Sequence, residues 1–201
     1  MSLMSSTLYL MMVYKSKKNL LKFGIPLLLL IMGILFIACA LPHFSQGVLI
    51  PAPLEIRQRA LEYAYQYENL GTGYAWGGQD PLPGRLVVDC SGLVIRCYQY
   101  ACEDFGFTLP FNDTTSYGLI RYSQSINQTL LSPGDLLFMG EDGKISHVAL
   151  FIQFNGDNIQ FIDATLKPEV GINGVTTRQY NRTDSRFISY GRMFVQSKQG
   201  N

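Results

Sequence analysis

The sequence predicts an α+β domain with an antiparallel sheet, and three observations carry that expectation. Between Leu54 and Ala101 apolar residues recur at spacings of three and four, the mark of helices that each bury one face. From Leu130 the texture changes to short apolar runs separated by turn residues such as Pro133-Gly134 and Asn155-Gly156, as in successive hairpins. A chain of 201 residues, 47% hydrophobic and only 15% charged, can bury a sizeable core and is not disordered as a whole. Helices first and strands later group into α+β rather than into alternating parallel units.

The elements follow in order. Lys15, Lys17, Lys18 and Lys22 precede an apolar run from Phe23 to Ala40, interrupted only by Gly24, Pro26 and Gly33. Basic residues followed by such a run describe a secretory signal, so residues 1–40 are expected to direct export. An uncleaved anchor helix is the rival, although the run falls just short of the roughly 20 apolar residues that span a bilayer. Ala38-Cys39-Ala40 suits an ordinary signal peptidase, whereas Phe36-Ile37-Ala38-Cys39 resembles a bacterial lipobox in which Cys39 would carry lipid. Either exit places the mature domain outside the cytoplasm, in the cell envelope. Residues 41–53, with Pro42, Gly47, Pro51 and Pro53, read as a tether, too short for an SH3-like or LysM-type wall-binding module.

A helix is predicted from Leu54, with Ile56, Ala60, Tyr63, Ala64 and Tyr67 on its buried face and Glu55, Arg57, Gln58, Arg59 and Glu62 on the other. Gly71, Gly73, Gly77 and Gly78 then form a loop that holds Tyr74 and Trp76. Asp89-Cys90-Ser91-Gly92 opens a second helix that buries Leu93, Val94, Cys97, Tyr98 and Ala101 and ends near Gly106. A shorter helix is expected after Asn112-Asp113, either of which suits a cap. Strands are predicted over 135–139, 145–154, 159–164 and 187–195, and residues 54–198 are read as one domain.

The charge balance, 16 Lys and Arg against 15 Asp and Glu, provides no field to gather phosphate and excludes nucleic acid as the main partner. His43 falls in the tether, which leaves His147 as the folded domain's histidine. With one imidazole, a zinc site would need Cys and Asp at unsuited spacing, so neither metal nor cofactor is expected. A lone histidine in a strand is ordinarily structural; its company alters the reading.

Cys90 is predicted in a first helical turn, where unpaired N–H groups and the helix dipole favour an anion and depress a thiol pKa. An imidazolium nearby would complete the thiolate–imidazolium pair of a cysteine nucleophile. Cys97 and Cys102 instead fit small buried hydrophobes; on one helix they would stand about 7–8 Å apart, too far for an easy disulfide. A catalytic imidazole also needs an orienting partner, and Asp163 interrupts an apolar strand one hairpin beyond His147. Parity constrains the pairing. Residues 147 and 163 share a sheet face only if the turn has an odd number of residues or a strand is bulged. A three-residue loop, Asn155-Gly156-Asp157, or a bulge is therefore expected.

Tyr74-Ala75-Trp76-Gly77-Gly78, Asp89-Cys90-Ser91-Gly92-Leu93, Pro133-Gly134-Asp135-Leu136 and Ser146-His147-Val148 resemble, in order and spacing, the successive motifs of NlpC/P60 cysteine peptidases. The resemblance runs from about Leu54 to Val195. It implies a papain-like fold with helices packed on a central antiparallel sheet. It also implies hydrolysis of peptidoglycan stem peptides or muropeptide fragments, usually between γ-D-glutamyl and a diamino acid. By position Cys90 looks like the nucleophile, His147 the general base and Asp163 the orienting residue, where many members have His. Tyr74 resembles the family tyrosine beside the nucleophile, and Asp89 and Ser91 resemble neighbours that bind the stem peptide's free amine, with helix capping as the plainer reading. Asp135 is read as structural. The alternatives are a papain-like amidase or acyltransferase, and an inactive envelope binding protein. Membrane attachment would run through lipidated Cys39 or an uncleaved helix.

Overall fold

The computed structural model describes residues 47–79 and 86–198. The expected export segment, residues 1–40, and Cys39 with it, lie outside them. Among the described residues no helix is long and apolar enough to cross a membrane.

Helix α1 (Leu54–Asn69) buries Ile56, Ala60, Ala64 and Tyr67 of the predicted face and Leu61 besides, while Tyr63, predicted with them, is only half-buried. Arg57, assigned to the solvent face, is buried as well, because its guanidinium reaches the Ala52 carbonyl and Asp135. A short parallel pair follows, β2 (Gly73–Tyr74) and β3 (Val87–Val88). Helix α2 (Cys90–Asp104) starts on the Asp89 cap and buries Leu93, Val94, Cys97, Tyr98, Ala101 and Cys102. It stops before Gly106, whose φ of 73° a side chain would resist.

The expected third helix is only a 3₁₀ turn, Gly118–Tyr122. Asn112 and Asp113 do not cap it; the Thr115 hydroxyl accepts from the Gly118 N–H instead. Short strands β4 (Phe107–Thr108) and β5 (Ser123–Ile126) flank it.

The main sheet is formed by β1 (Leu49–Pro51), β6 (Leu136–Glu141), β7 (Lys144–Asn155), β8 (Asn158–Lys167), β9 (Ile172–Asn181) and β10 (Phe187–Ser197). Its order is β1-β10-β6-β7-β8-β9, antiparallel at each step, with β4 and β5 also paired to β10. Two of these strands differ from expectation. Strand β1 lies inside the segment read as a tether, and its Pro51 is tolerated because β1 is an edge. Strand β9 was not anticipated: Asn173, Thr176, Thr177, Gln179 and Asn181 give it few apolar residues to mark it.

Alternation divides the central strands between two clusters. Leu136, Phe138, Val148, Leu150, Ile162 and Ala164 pack with helix residues such as Ile56, Leu93 and Tyr98. Leu137, Met139, Ala149, Phe151, Ile159 and Phe161 form the second cluster, closed by Phe154, Tyr180, Phe187 and Tyr190. With both faces covered, these strands read as nearly continuous apolar runs.

The β7–β8 hairpin corrects one expectation. Asn155 pairs with Asn158, so the loop is the two residues Gly156-Asp157 rather than three. The register slips once, between Phe151 and Gln153, which is the bulged alternative. Beyond the slip Leu150 faces Ile162, which sets Asp163 opposite Ala149 and on the same face as His147.

Candidate active site

The opening of α2 is held by Asp89. Its Oδ1 accepts from the Gly92 N–H at 2.6 Å and the Ser91 hydroxyl at 3.0 Å, and its Oδ2 accepts from the Gly77 N–H at 2.9 Å. One carboxylate thus caps the helix and pins the glycine loop to it. The loop lies so close that a Cβ on Gly92 would come within 2.2 Å of the Gly78 carbonyl oxygen, and only glycine fits. Cys90 follows as the first helical residue, a free thiol with 8% of its surface exposed. Tyr74 is half-buried beside it. Burial, reinforced by the nearby Cys90 and Asp89 charges, raises its phenol pKa. Cys97 and Cys102 are also free, but burial pushes the thiol of Cys97 far up and that of Cys102 to about 12. Neither is poised to form a thiolate.

His147 stands near the start of β7, next to the bulge that separates Met139 from Gly140 in the pairing with β6. Its Nε2 is 2.5 Å from Asp163 Oδ2. Nδ1 is then the ring nitrogen left to exchange a proton with sulfur, and Cys90 is near enough to this imidazole to help raise its pKa. Burial disfavours the imidazolium. The bond to Asp163, and the interactions with Asp163 and Cys90 nearby, outweigh it and raise the pKa to about 9.

Asp163 is fully buried. Burial alone would raise its pKa, but bonds from His147 and Arg178 hold it below the usual carboxylate range. Arg178, on β9, donates from Nε to Oδ1 at 3.0 Å and from Nη2 to Oδ2, a bidentate clamp. Its Nη1 donates to the Tyr180 hydroxyl, and its guanidinium carbon lies 5.2 Å from the Phe161 ring centre. Sequence reasoning missed Arg178. The one available signal was the cost of burying Asp163, which demanded a cationic partner without saying where.

The structure therefore brings Cys90, His147 and Asp163 together, with Tyr74 beside Cys90 and with Asp89 and Ser91, its neighbours in the chain, bonded to each other in the helix cap. Among the described residues no group of three or more His, Cys, Asp or Glu side chains is arranged to hold a metal ion.

A family model described as "NlpC/P60 family" matches residues 71–188. The chain is 31% identical over 100 residues to a "Probable endopeptidase p60" of Listeria innocua, covering 50% of this chain and 19% of that protein. It is 35% identical over 89 residues to "Protein P54" of Enterococcus faecium, covering 43% of this chain and 15% of the other. The matched segments thus span under a fifth of those relatives' lengths. An NLP/P60 family structure from Staphylococcus aureus, described as similar to lipoprotein, superposes with a TM-score of 0.49 at 23% identity, covering 78% of this chain and 46% of that one.

Proposed function

Since the chain belongs to the NlpC/P60 family, we propose that it is a cysteine peptidase of the cell wall, cleaving peptidoglycan stem peptides at the γ-D-glutamyl–diamino acid bond. The observation that carries this reading is the 2.5 Å bond between His147 and a buried carboxylate, with the Cys90 thiol at a helix mouth on the same imidazole.

Each step follows from the residues. The Cys90 proton passes to His147 Nδ1, and the sulfur attacks the amide carbonyl. Negative charge develops on the carbonyl oxygen at the start of α2, where unpaired backbone N–H groups, including that of Cys90, point outward to receive it. The imidazolium then protonates the departing amine, leaving a thioester. Water, deprotonated by His147, hydrolyses the thioester and frees the thiol. Asp163 keeps the ring oriented and stabilises its charged form, as a triad carboxylate does. Tyr74, Asp89 and Ser91 surround the acyl side, where they would contact the stem peptide's amine.

We place the activity in the cell envelope, reached through the export segment in residues 1–40 with lipid on Cys39. Radiolabelled palmitate incorporated by the wild type and not by Cys39→Ser would bear the anchor out. The chemistry is tested by mass spectrometry of muropeptides incubated with wild type, Cys90→Ala and His147→Ala. A new D-glutamyl terminus is expected with the wild type alone, and equal products from all three would overturn the assignment. The loss on removing Cys90 should be on the order of 10⁴-fold or more, and that for Asp163→Ala smaller.

A further inference from the structure

We propose that the end of the domain carrying Val48, Leu49, Phe105 and Phe107 rests on a lipid bilayer and turns the mouth at Cys90 away from it. The proposal rests on the membrane anchoring proposed above.

Strand register assembles this end from three segments distant in sequence. Near the close of β10, Gln196 pairs with Leu49 of β1 on one side and with Thr108 of β4 on the other, and Ser197 pairs with Phe107. The Lys198 N–H donates to the Gly106 carbonyl at 2.9 Å, which holds Phe105, the residue that closes α2, beside them. Gly47 lies so near β10 that a Cβ would come within 2.5 Å of the Ser197 carbonyl oxygen. Val48 is 73% exposed, Leu49 49% and Phe105 45%, and Phe107 is half-buried. Single exposed apolar residues are ordinary on a protein surface. Apolar residues from three segments converging on one end mark a contact surface.

The occupant follows from where the export segment joins the domain. Cys39 and Gly47 are eight positions apart, at most about 30 Å along an extended chain. A domain of this size is about 40 Å across. With lipid on Cys39, the chain is too short for a remote face to reach the bilayer, and the end bearing Gly47 meets it first.

The charges at this end favour insertion over electrostatic attraction. Asp104 is engaged by Arg59 at 2.6 Å. Lys198 and Glu103 share the wall of one groove with Phe107; both are exposed, and neither forms an ion pair with a described residue. One cation and one anion offset each other, so the contact depends on apolar burial, which salt does not screen. Helix α2 then acts as a spacer. Cys90 is its first residue and Asp104 its last, about 20 Å away at the rise of a helix. Docking by the Phe105 end holds the sulfur out toward the wall rather than among the headgroups.

The chain's one tryptophan, Trp76, is 90% exposed in the loop that Asp89 pins to the start of α2, and so reports from the mouth. The full chain, purified from bacterial membranes, is reconstituted with vesicles of phosphatidylethanolamine and phosphatidylglycerol, with or without brominated acyl chains, and flotation is recorded first. Val48→Trp and Phe105→Trp, each combined with Trp76→Phe, should lose much of their emission to the bromines, at low and at high salt alike. The wild type, read at Trp76, should keep its emission. Quenching of Trp76, or quenching that high salt abolishes, would overturn the docking. An emission shift that is the same without vesicles would mean that a second copy covers the patch, and would overturn it too. Flotation without quenching would sink the docking and keep the anchor, whereas a chain that does not float would sink both. The muropeptide assay decides the peptidase reading separately.

Discussion

His147 titrates in this fold between two acids, and its behaviour gives the first measurable consequence. Its pKa, raised from 6.5 to about 9, means that the folded state holds the proton where the unfolded chain releases it. The stabilisation is fully present below pH 6.5 and is lost as pH rises through about 9. Its ceiling is about 3 kcal/mol. Thermal melts should therefore fall between pH 6.5 and 9 in the wild type and stay flatter in His147→Gln. If the imidazolium protonates the departing amine, kcat/KM should decline above about pH 9. A flat profile there would deny His147 that part. Arg178 works one contact further back, as a positioning residue. In Arg178→Gln the whole charge of Asp163 acts on the imidazole, so the His147 NMR midpoint should move above 9 and stability should drop by about 3–5 kcal/mol. With Asp163→Asn added, the total loss should be smaller than the sum of the two single losses, because each single variant leaves a charged partner behind. Additive losses in the double variant would mean that the two residues are not coupled.

At the scale of elements, what was legible in the sequence was what burial writes into it. The faces of α1 and α2 could be read because each packs one apolar side against the sheet, β6, β7 and β8 because both their faces are covered, and β10 because Met193 and Val195 alternate into the core. Strand β9 was illegible for the opposite reason. It contributes mainly polar contacts, the Arg178 clamp and Thr177, whose N–H and hydroxyl both bond Glu68 of α1. Arg57 was misassigned because periodicity cannot reveal a partner 78 residues away. Cys90, His147 and Asp163 stood out because each is a costly residue in its local setting, while Arg178 in a polar strand is not. Parity narrowed the β7–β8 hairpin to a longer loop or a bulge, and the bulge prevails since Gly156, at a φ of 58°, makes the short turn easy. This gives a second expectation. Deleting the exposed Gln153 should leave a regular hairpin with the same registers on both sides, so the His147 midpoint should remain near 9. A return to 6.5 would show that the bulge itself holds the pair.

Across the whole molecule, Asp135 joins three elements. This buried carboxylate begins β6 and receives Arg57 from α1 at 3.1 Å, Arg192 from β10 through two bonds of 2.9 Å, and the Ser132 N–H at 2.9 Å. Gly134 before it is equally constrained, since a Cβ there would meet the Arg57 carbonyl oxygen at 2.2 Å. Asp135→Ala leaves two arginines facing each other without a counter-charge, and denaturant melts should record a loss of about 3–5 kcal/mol. A change under 1 kcal/mol would show that the arginines find other partners.

Strand β10, late in the chain, is the common neighbour of β1, β4, β5 and β6. Strand β6 can pair with β7 as soon as both are made, but β1, β4 and β5 have no partner strand until residues 187–197 have left the ribosome. Folding therefore waits on long-range closure, which is slow. Until that last strand arrives, the nascent chain carries three strands with open edges, and a chain cut short before residue 187 leaves all three unpaired.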